Sequence, residues 1–307
     1  MRLTTITASI LATMLLLIGC GEKQTNEEKE RTTIVATTGM IADAARIIVG
    51  DSAEVIGLMG PGVDPHLYKA GSNDLGLLTD ADVILYNGLH LEGKMGDVLE
   101  KLAARKSVVA VAERIDEAQL RSPPEFKGAH DPHVWFDVAL WRTVVDGMAD
   151  TLAALHPGNA AYYRANADVY LGRLDSLDRW VRAEIATIPK DGRVLITAHD
   201  AFGYFGRAYD IEVKGLQGIS TVSEFGLADR NAMVELIVAR KIKAIFVESS
   251  VPRRNVESLI EGVTGSGGTV RIGGELFSDA MGEEGTPEGS YVGMVEANVR
   301  KIVEALR

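Results

Sequence analysis

The chain has 307 residues and a net charge of −11, with 43 acidic against 32 basic side chains. It contains no Lys/Arg run, so the basic surface that nucleic-acid binding requires is missing and nucleic acid is excluded as a partner. Cys20 is its only cysteine, which rules out an intrachain disulfide and a thiolate zinc cluster; any metal must rest on nitrogen and oxygen ligands.

At the N-terminus, Met1-Arg2 leads into a mostly apolar stretch, 6–18, that closes on Leu17-Ile18-Gly19-Cys20. Residues 1–19 read as a signal peptide, too short for a stable membrane span. Its end resembles a bacterial lipoprotein signal, in which processing leaves Cys20 as a lipidated N-terminus and anchors the protein to the membrane. An ordinary secretory peptide with an incidental cysteine is the blander reading. Residues 20–31 then form a polar, charged stretch without large apolar side chains, expected to be a flexible tether.

From residue 32 the pattern changes to short β-branched runs alternating with amphipathic stretches. TIVAT (33–37), EVIGL (54–58), DVILY (82–86) and SVVAV (107–111) predict four parallel strands in an N-terminal α/β lobe, 32–136. The rhythm stops at 137 and resumes with RVLIT (193–197), IEVKG (211–215), KAIFVE (243–248) and TVRIG (269–273), which predict a C-terminal α/β lobe, 191–307. Within the linker region, 137–190, the break His156-Pro157-Gly158 precedes apolar positions Tyr163, Ala167, Tyr170, Leu174, Leu177 and Val181 at alternating steps of four and three. That spacing predicts one helix over 159–187, about 40 Å long at 1.5 Å per residue, stiff enough to join both lobes with little hinge bending. A coiled-coil seam would give the same pattern, but the segment is short and its flanks are α/β. The expected fold is therefore α/β: two lobes, each with a parallel four-stranded sheet, joined by one long rigid backbone helix.

The tripeptide Asp-Pro-His occurs twice, ending at His66 and His133, and a third histidine, His199, stands beside Asp200 in LITAHDAF. Imidazole is the commonest ligand for late divalent metals, and a neighbouring carboxylate can fix its tautomer. His66 lies past the strand at 54–58, His199 past the one at 193–197 and Asp279 past the one at 269–273. Ligands of open α/β sheets bind beyond the carboxyl ends of strands, so these residues point to one interlobe cleft, which His133 could face from its loop.

The motifs GPGVDPHLYKA, DPHVWFD, TAHDAFGYF, VKGLQGIST, IFVESSVPRRNVE and IGGELFSDAMG, in that order, resemble the cluster A-I (TroA-type) solute-binding lipoproteins of ABC importers for zinc and manganese. The resemblance covers essentially all of 33–306. It implies that His66 and His133 are metal ligands of the first lobe and His199 and Asp279 of the second. It also implies a Zn(2+) or Mn(2+) cargo, an ABC permease as partner, a monomer, and a location outside the cytoplasm in the periplasm or at the cell surface. Zinc-dedicated members often carry a long His/Asp-rich loop before the second ligand; here RSPPEFKGAHDPH offers only His130 beside His133.

Three imidazoles and one carboxylate would leave a divalent ion with a net charge of about +1, and each protein–metal bond replaces a water. Because imidazoles bind metal only when neutral, affinity is expected to decline as pH falls through about 6.5. His90, His130 and His156 stand outside the motifs and are expected at the surface. Asp64, Asp131 and Asp200 read either as turn-forming and capping residues or as carboxylates orienting the histidines. Glu248 either lines the cleft or pairs with an arginine. GSGGTV from Gly265 lacks the last glycine of a dinucleotide fingerprint. A secreted zinc hydrolase would need an open coordination position and a general base, and neither HExxH nor GxSxG is present, so the chain is not expected to be an enzyme. A metal-dependent adhesin is the other alternative.

Overall fold

The computed structural model describes residues 31–307 except 125, 127, 223 and 224, so the signal peptide, Cys20 and the tether to residue 30 lie outside the described residues. β1 (Thr32–Ala36), β2 (Ala53–Gly57), β3 (Val83–Tyr86) and β4 (Ser107–Ala110) form an all-parallel sheet in the order β2-β1-β3-β4. Helices α1 (Gly39–Val49), α2 (Ser72–Asp80) and α3 (Gly96–Ala103) connect them. The central strands β1 and β3 are mostly buried and the edge strands β2 and β4 half-buried, as in a parallel sheet packed between helices.

Two long helices follow, α4 (Val138–Leu155) and α5 (Ala160–Ala186). Asp137 caps the first, its side chain accepting the amide of Leu140 at 3.1 Å. Pro157 opens the single turn between them, and α5 spans almost the predicted residues. All six apolar positions read from the sequence are buried in α5, together with Leu171 and Ile185. This stripe packs on α1, α4 and the C-terminal helix, so one helix spans both halves of the fold.

The second half contains β5 (Val194–His199), α6 (Gly203–Tyr209), β6 (Glu212–Gln217), α7 (Leu227–Arg240), β7 (Ala244–Glu248), α8 (Arg254–Gly265), β8 (Arg271–Leu276) and α9 (Tyr291–Leu306). In place of the expected four-stranded sheet, the strands ladder as two parallel pairs, β5–β6 and β7–β8, with β5 lying against β7. A register shift between Ile245 and Phe246 interrupts regular pairing in β7. One buried cluster runs from β1 and α1 through α4 and α5 to Phe202, Phe246 and α9, so residues 32–307 share a core and form one compact unit. A hinge between the halves would have to tear this core.

Candidate metal centre

Three of the four predicted residues stand at or just beyond strand ends. His66 is in the loop between β2 and α2, His199 is the last residue of β5, and Asp279 lies three residues past β8. His133 begins the single helical turn Val134–Phe136 ahead of α4. Parallel strands deliver these loops to one edge, and all four side chains meet there, their ligand atoms within 4.8 Å of one another. Exposures of 3 % for His66, 0 % for His133 and His199 and 2 % for Asp279 put the cluster out of bulk water.

His66 Nε2 lies 3.2 Å from His133 Nε2 and 3.6 Å from an Asp279 oxygen. Asp279 is also 3.4 Å from His133 Nε2 and 3.2 Å from His199 Nε2. Four ligands held about 2.0–2.1 Å from a zinc-sized ion at tetrahedral angles would stand about 3.3 Å apart, which these separations match. Asp279 Oδ1 and Oδ2 and His199 Nε2 are buried without a hydrogen-bond partner. A buried carboxylate needs a positive partner; without metal the protonated His133 and His199 rings supply it, and a bound cation would take their place.

The remaining ring nitrogens face carboxylates. His133 Nδ1 donates to Asp131 Oδ1 at 2.8 Å, and the His133 amide donates to the same oxygen at 3.0 Å. His199 Nδ1 donates to Glu248 Oε2 at 2.5 Å, with its amide on Oε1 at 2.8 Å. An ionised carboxylate can only accept, so each Nδ1 carries a proton, and each Nε2 presents its lone pair to the cluster once its own proton has left. Glu248 thus pairs with His199, not with an arginine. Asp131 is in turn held by Arg121, whose guanidinium also lies over the Tyr204 ring. Gly203 is needed there, because a side chain would overlap that guanidinium. Asp64 works through the backbone: one oxygen accepts the His66 amide at 2.8 Å and the other the Thr221 hydroxyl at 2.6 Å, joining loops from both halves. Asp200 is in neither role; it lies near the Arg121–Asp131 pair, and burial, reinforced by the Asp131 charge, raises its pKa.

Charge in the cluster is shared unevenly. Burial drives His66 down to about 3, so it is neutral throughout the physiological range. Burial also opposes charge on His133, but Asp279 and the Asp131 hydrogen bond overcome it and raise the pKa to about 9. His199 is likewise raised, burial being outweighed by Glu248 and Asp279. Asp279 is held well below the usual carboxylate range because His199 and His133 outweigh its burial. The expected midpoint near 6.5 is therefore corrected: without metal, His133 and His199 keep protons well above it because buried carboxylates face them.

The other histidines take no part. His90 is exposed in the loop after β3, His130 pairs with the Ser122 hydroxyl at 2.9 Å, and His156 sits at the end of α4 against the Tyr163 ring. The contributions of Arg121, Tyr204 and Thr221 were not read from the sequence, since none lies beside a histidine in the chain. The only hint was Arg121 opening the segment that ends in His133.

Residues 34–305 match the family model for the zinc-uptake complex component A, periplasmic, ZnuA. The manganese-binding lipoprotein MntA of Bacillus subtilis (strain 168) is 48 % identical over 301 residues, 98 % of each chain. The zinc-binding protein TroA of Treponema pallidum (strain Nichols) is 52 % identical over 273 residues, 89 % of this chain and 88 % of that one. The solved structure of the periplasmic zinc-binding protein TroA from Treponema pallidum superposes with a TM-score of 0.88 at 51 % identity, covering 90 % of this chain and 99 % of the other.

Proposed function

This chain belongs to the ZnuA family of metal-uptake binding proteins, and from that premise we propose that it captures a zinc or manganese ion outside the cytoplasm and passes it to the permease of an ABC importer. His66, His133, His199 and Asp279 hold the ion, and Asp131 and Glu248 hold two of the imidazoles in the tautomer that binds it. The observation that carries this reading is the buried convergence of three imidazole nitrogens and the Asp279 carboxylate, their ligand atoms within 4.8 Å of one another.

The first lobe extends to about residue 136 and the second begins near 191, with α4 and α5 between them. Cys20 carries the lipid that ties the protein to the membrane; among the described residues no helix is long and apolar enough to cross one. The protein acts as a monomer and performs no chemistry on its cargo: four protein ligands fill the coordination position that a zinc hydrolase would keep for water.

Metal analysis of protein purified without chelator, followed by zinc and manganese titration of the stripped protein, tests the reading. About one ion per chain, released reversibly while the chain stays folded, is expected. Sub-stoichiometric weak binding, or unfolding on metal removal, refutes it. For the anchor, labelled fatty acid should enter the wild-type protein and not Cys20→Ala; no label in the wild type refutes lipidation.

A further inference from the structure

Trp135, two residues after His133, takes no part in holding the ion, yet it bonds the His133 segment to the Asp279 segment. Its indole Nε1 donates to the carbonyl of Ser278 at 3.1 Å, and Ser278 immediately precedes Asp279. Its ring stands edge-on to the His133 imidazole, with centroids 5.2 Å apart and planes at 70°. Its own carbonyl accepts the Tyr291 hydroxyl at 2.7 Å, and its side chain is 1 % exposed.

The receiving segment is fixed as well. The Phe277 amide and carbonyl bond to the Asn298 carboxamide of α9 at 2.9 and 2.7 Å, and the Ser278 hydroxyl meets that of Ser250 at 2.9 Å. Asp279 thus has a fixed backbone, with its carboxylate facing the three imidazoles.

We propose that Trp135 is a specificity-determining positioning residue, a strut from His133 to the backbone of Asp279 that fixes the span the ion must fit. The proposal rests on the metal-binding reading above. The His133 Nε2 to Asp279 separation of 3.4 Å suits bonds of about 2.0–2.1 Å, the zinc range. An ion that prefers more ligands, and angles nearer 90°, must rearrange these donors, and the strut resists rearrangement because its donor and acceptor are both buried and would be left poorly paired. The strut therefore penalises such an ion more than zinc.

The test replaces Trp135 with β-(3-benzothienyl)alanine, which keeps the bulk and removes only the N–H, alongside Trp135→Phe. Zinc and manganese dissociation constants and the cobalt(II) absorption spectrum are measured for each. The strut predicts that the zinc-over-manganese preference of the benzothienyl protein falls about tenfold, equivalent to about 1.4 kcal/mol. It also predicts an altered cobalt spectrum with thermal stability close to wild type. An unchanged preference and spectrum overturn the proposal. So does weakening of both metals by the same factor, which is what loss of packing alone would give. The wild-type titration run beside them keeps the two readings apart: failure there sinks the metal site itself, whereas normal wild-type binding with an unaltered variant sinks only the strut.

Discussion

Replacing Glu248 by Gln tests the carboxylate behind His199 rather than the ion's own ligands. Glu248 is 3 % exposed and accepts twice from one residue, the His199 amide at 2.8 Å and ring Nδ1 at 2.5 Å. A glutamine has one acceptor oxygen to offer. If it faces the ring, its amide group opposes the His199 N–H, and a buried donor loses its partner at a cost of about 1–3 kcal/mol of stability. If it faces the backbone, Nδ1 must give up its proton and Nε2 carries it into the ion's position. Removing a carboxylate that orients a metal-binding histidine typically weakens the metal 10–100-fold, about 1.4–2.8 kcal/mol. The loss should also depend on pH with a definite sign. Glu248 is the main charge that raises His199, so in the wild type a proton must leave Nε2 when metal binds at low pH. The variant is partly relieved of that competition, and its deficit should be smaller at pH 6 than at pH 8. Competition with a chromophoric chelator measures both. Affinity within twofold of wild type at pH 8, or a larger deficit at pH 6, refutes the reasoning.

His66→Ala, His133→Ala, His199→Ala and Asp279→Ala should each weaken binding sharply, whereas His156→Ala should not; unchanged titration curves in two of the four remove the assignment. Saturating metal should stabilise the wild type by about 4 kcal/mol at a thousandfold excess over the dissociation constant, read as a rise in unfolding temperature that the four variants lose. With His133 raised to about 9, metal uptake at pH 8 should release protons, and affinity should climb with pH toward 9; calorimetry in buffers of different ionisation enthalpy counts those protons, and none released contradicts the shared charge. The same shift means that the His133 contribution to metal-free stability is full below about 6.5 and lost as pH rises through 9, so chelated protein should become less stable across that window. Zinc should bind more tightly than manganese, since affinity rises along the divalent series toward the later metals; manganese displacing zinc at equal concentration in competition calorimetry reverses that order.

Legibility of the sequence tracked how local the physics was. The β-branched runs and the four-and-three spacing on α5 are properties of a few consecutive residues, and they located the strands and the long helix to within three residues. Strand polarity, which sends loops that follow strands to one edge, pointed to His66, His199 and Asp279, whereas His133 joined the set through the family resemblance. Contacts between distant segments were not legible. Glu248 stands 49 positions from His199, Tyr204 stands 73 from Asp131, and Thr221 stands 157 from Asp64. Nothing in the residues flanking either member of these pairs records that the fold joins them. The pKa values failed for the same reason: a neutral midpoint belongs to an isolated imidazole, while His133 owes its value to Asp279, 146 positions away by residue number.

That shared core also limits how the ion is let go. His133 is followed by Trp135 on Ser278 and by Phe136 stacked on Phe202 at 4.1 Å, so its segment is embedded in the second half. Separating the halves would expose these rings, and each large apolar side chain drawn back into water costs about 1.5–3 kcal/mol. Against a total stability of about 5–15 kcal/mol for an ordinary domain, a wide opening is close to unfolding. His66 is differently placed. Asp64 holds its backbone, and its loop meets the opposite half through the Thr221–Asp64 hydrogen bond, the close approach of Gly62 to the Ser249 carbonyl and the His66–Asp279 pair. A neutral side-chain hydrogen bond of this kind contributes about 0.5–1.5 kcal/mol, somewhat more with a charged acceptor. Lifting the His66 loop leaves the shared core intact, so on the proposed reading it is a less costly route for releasing the ion than parting the halves.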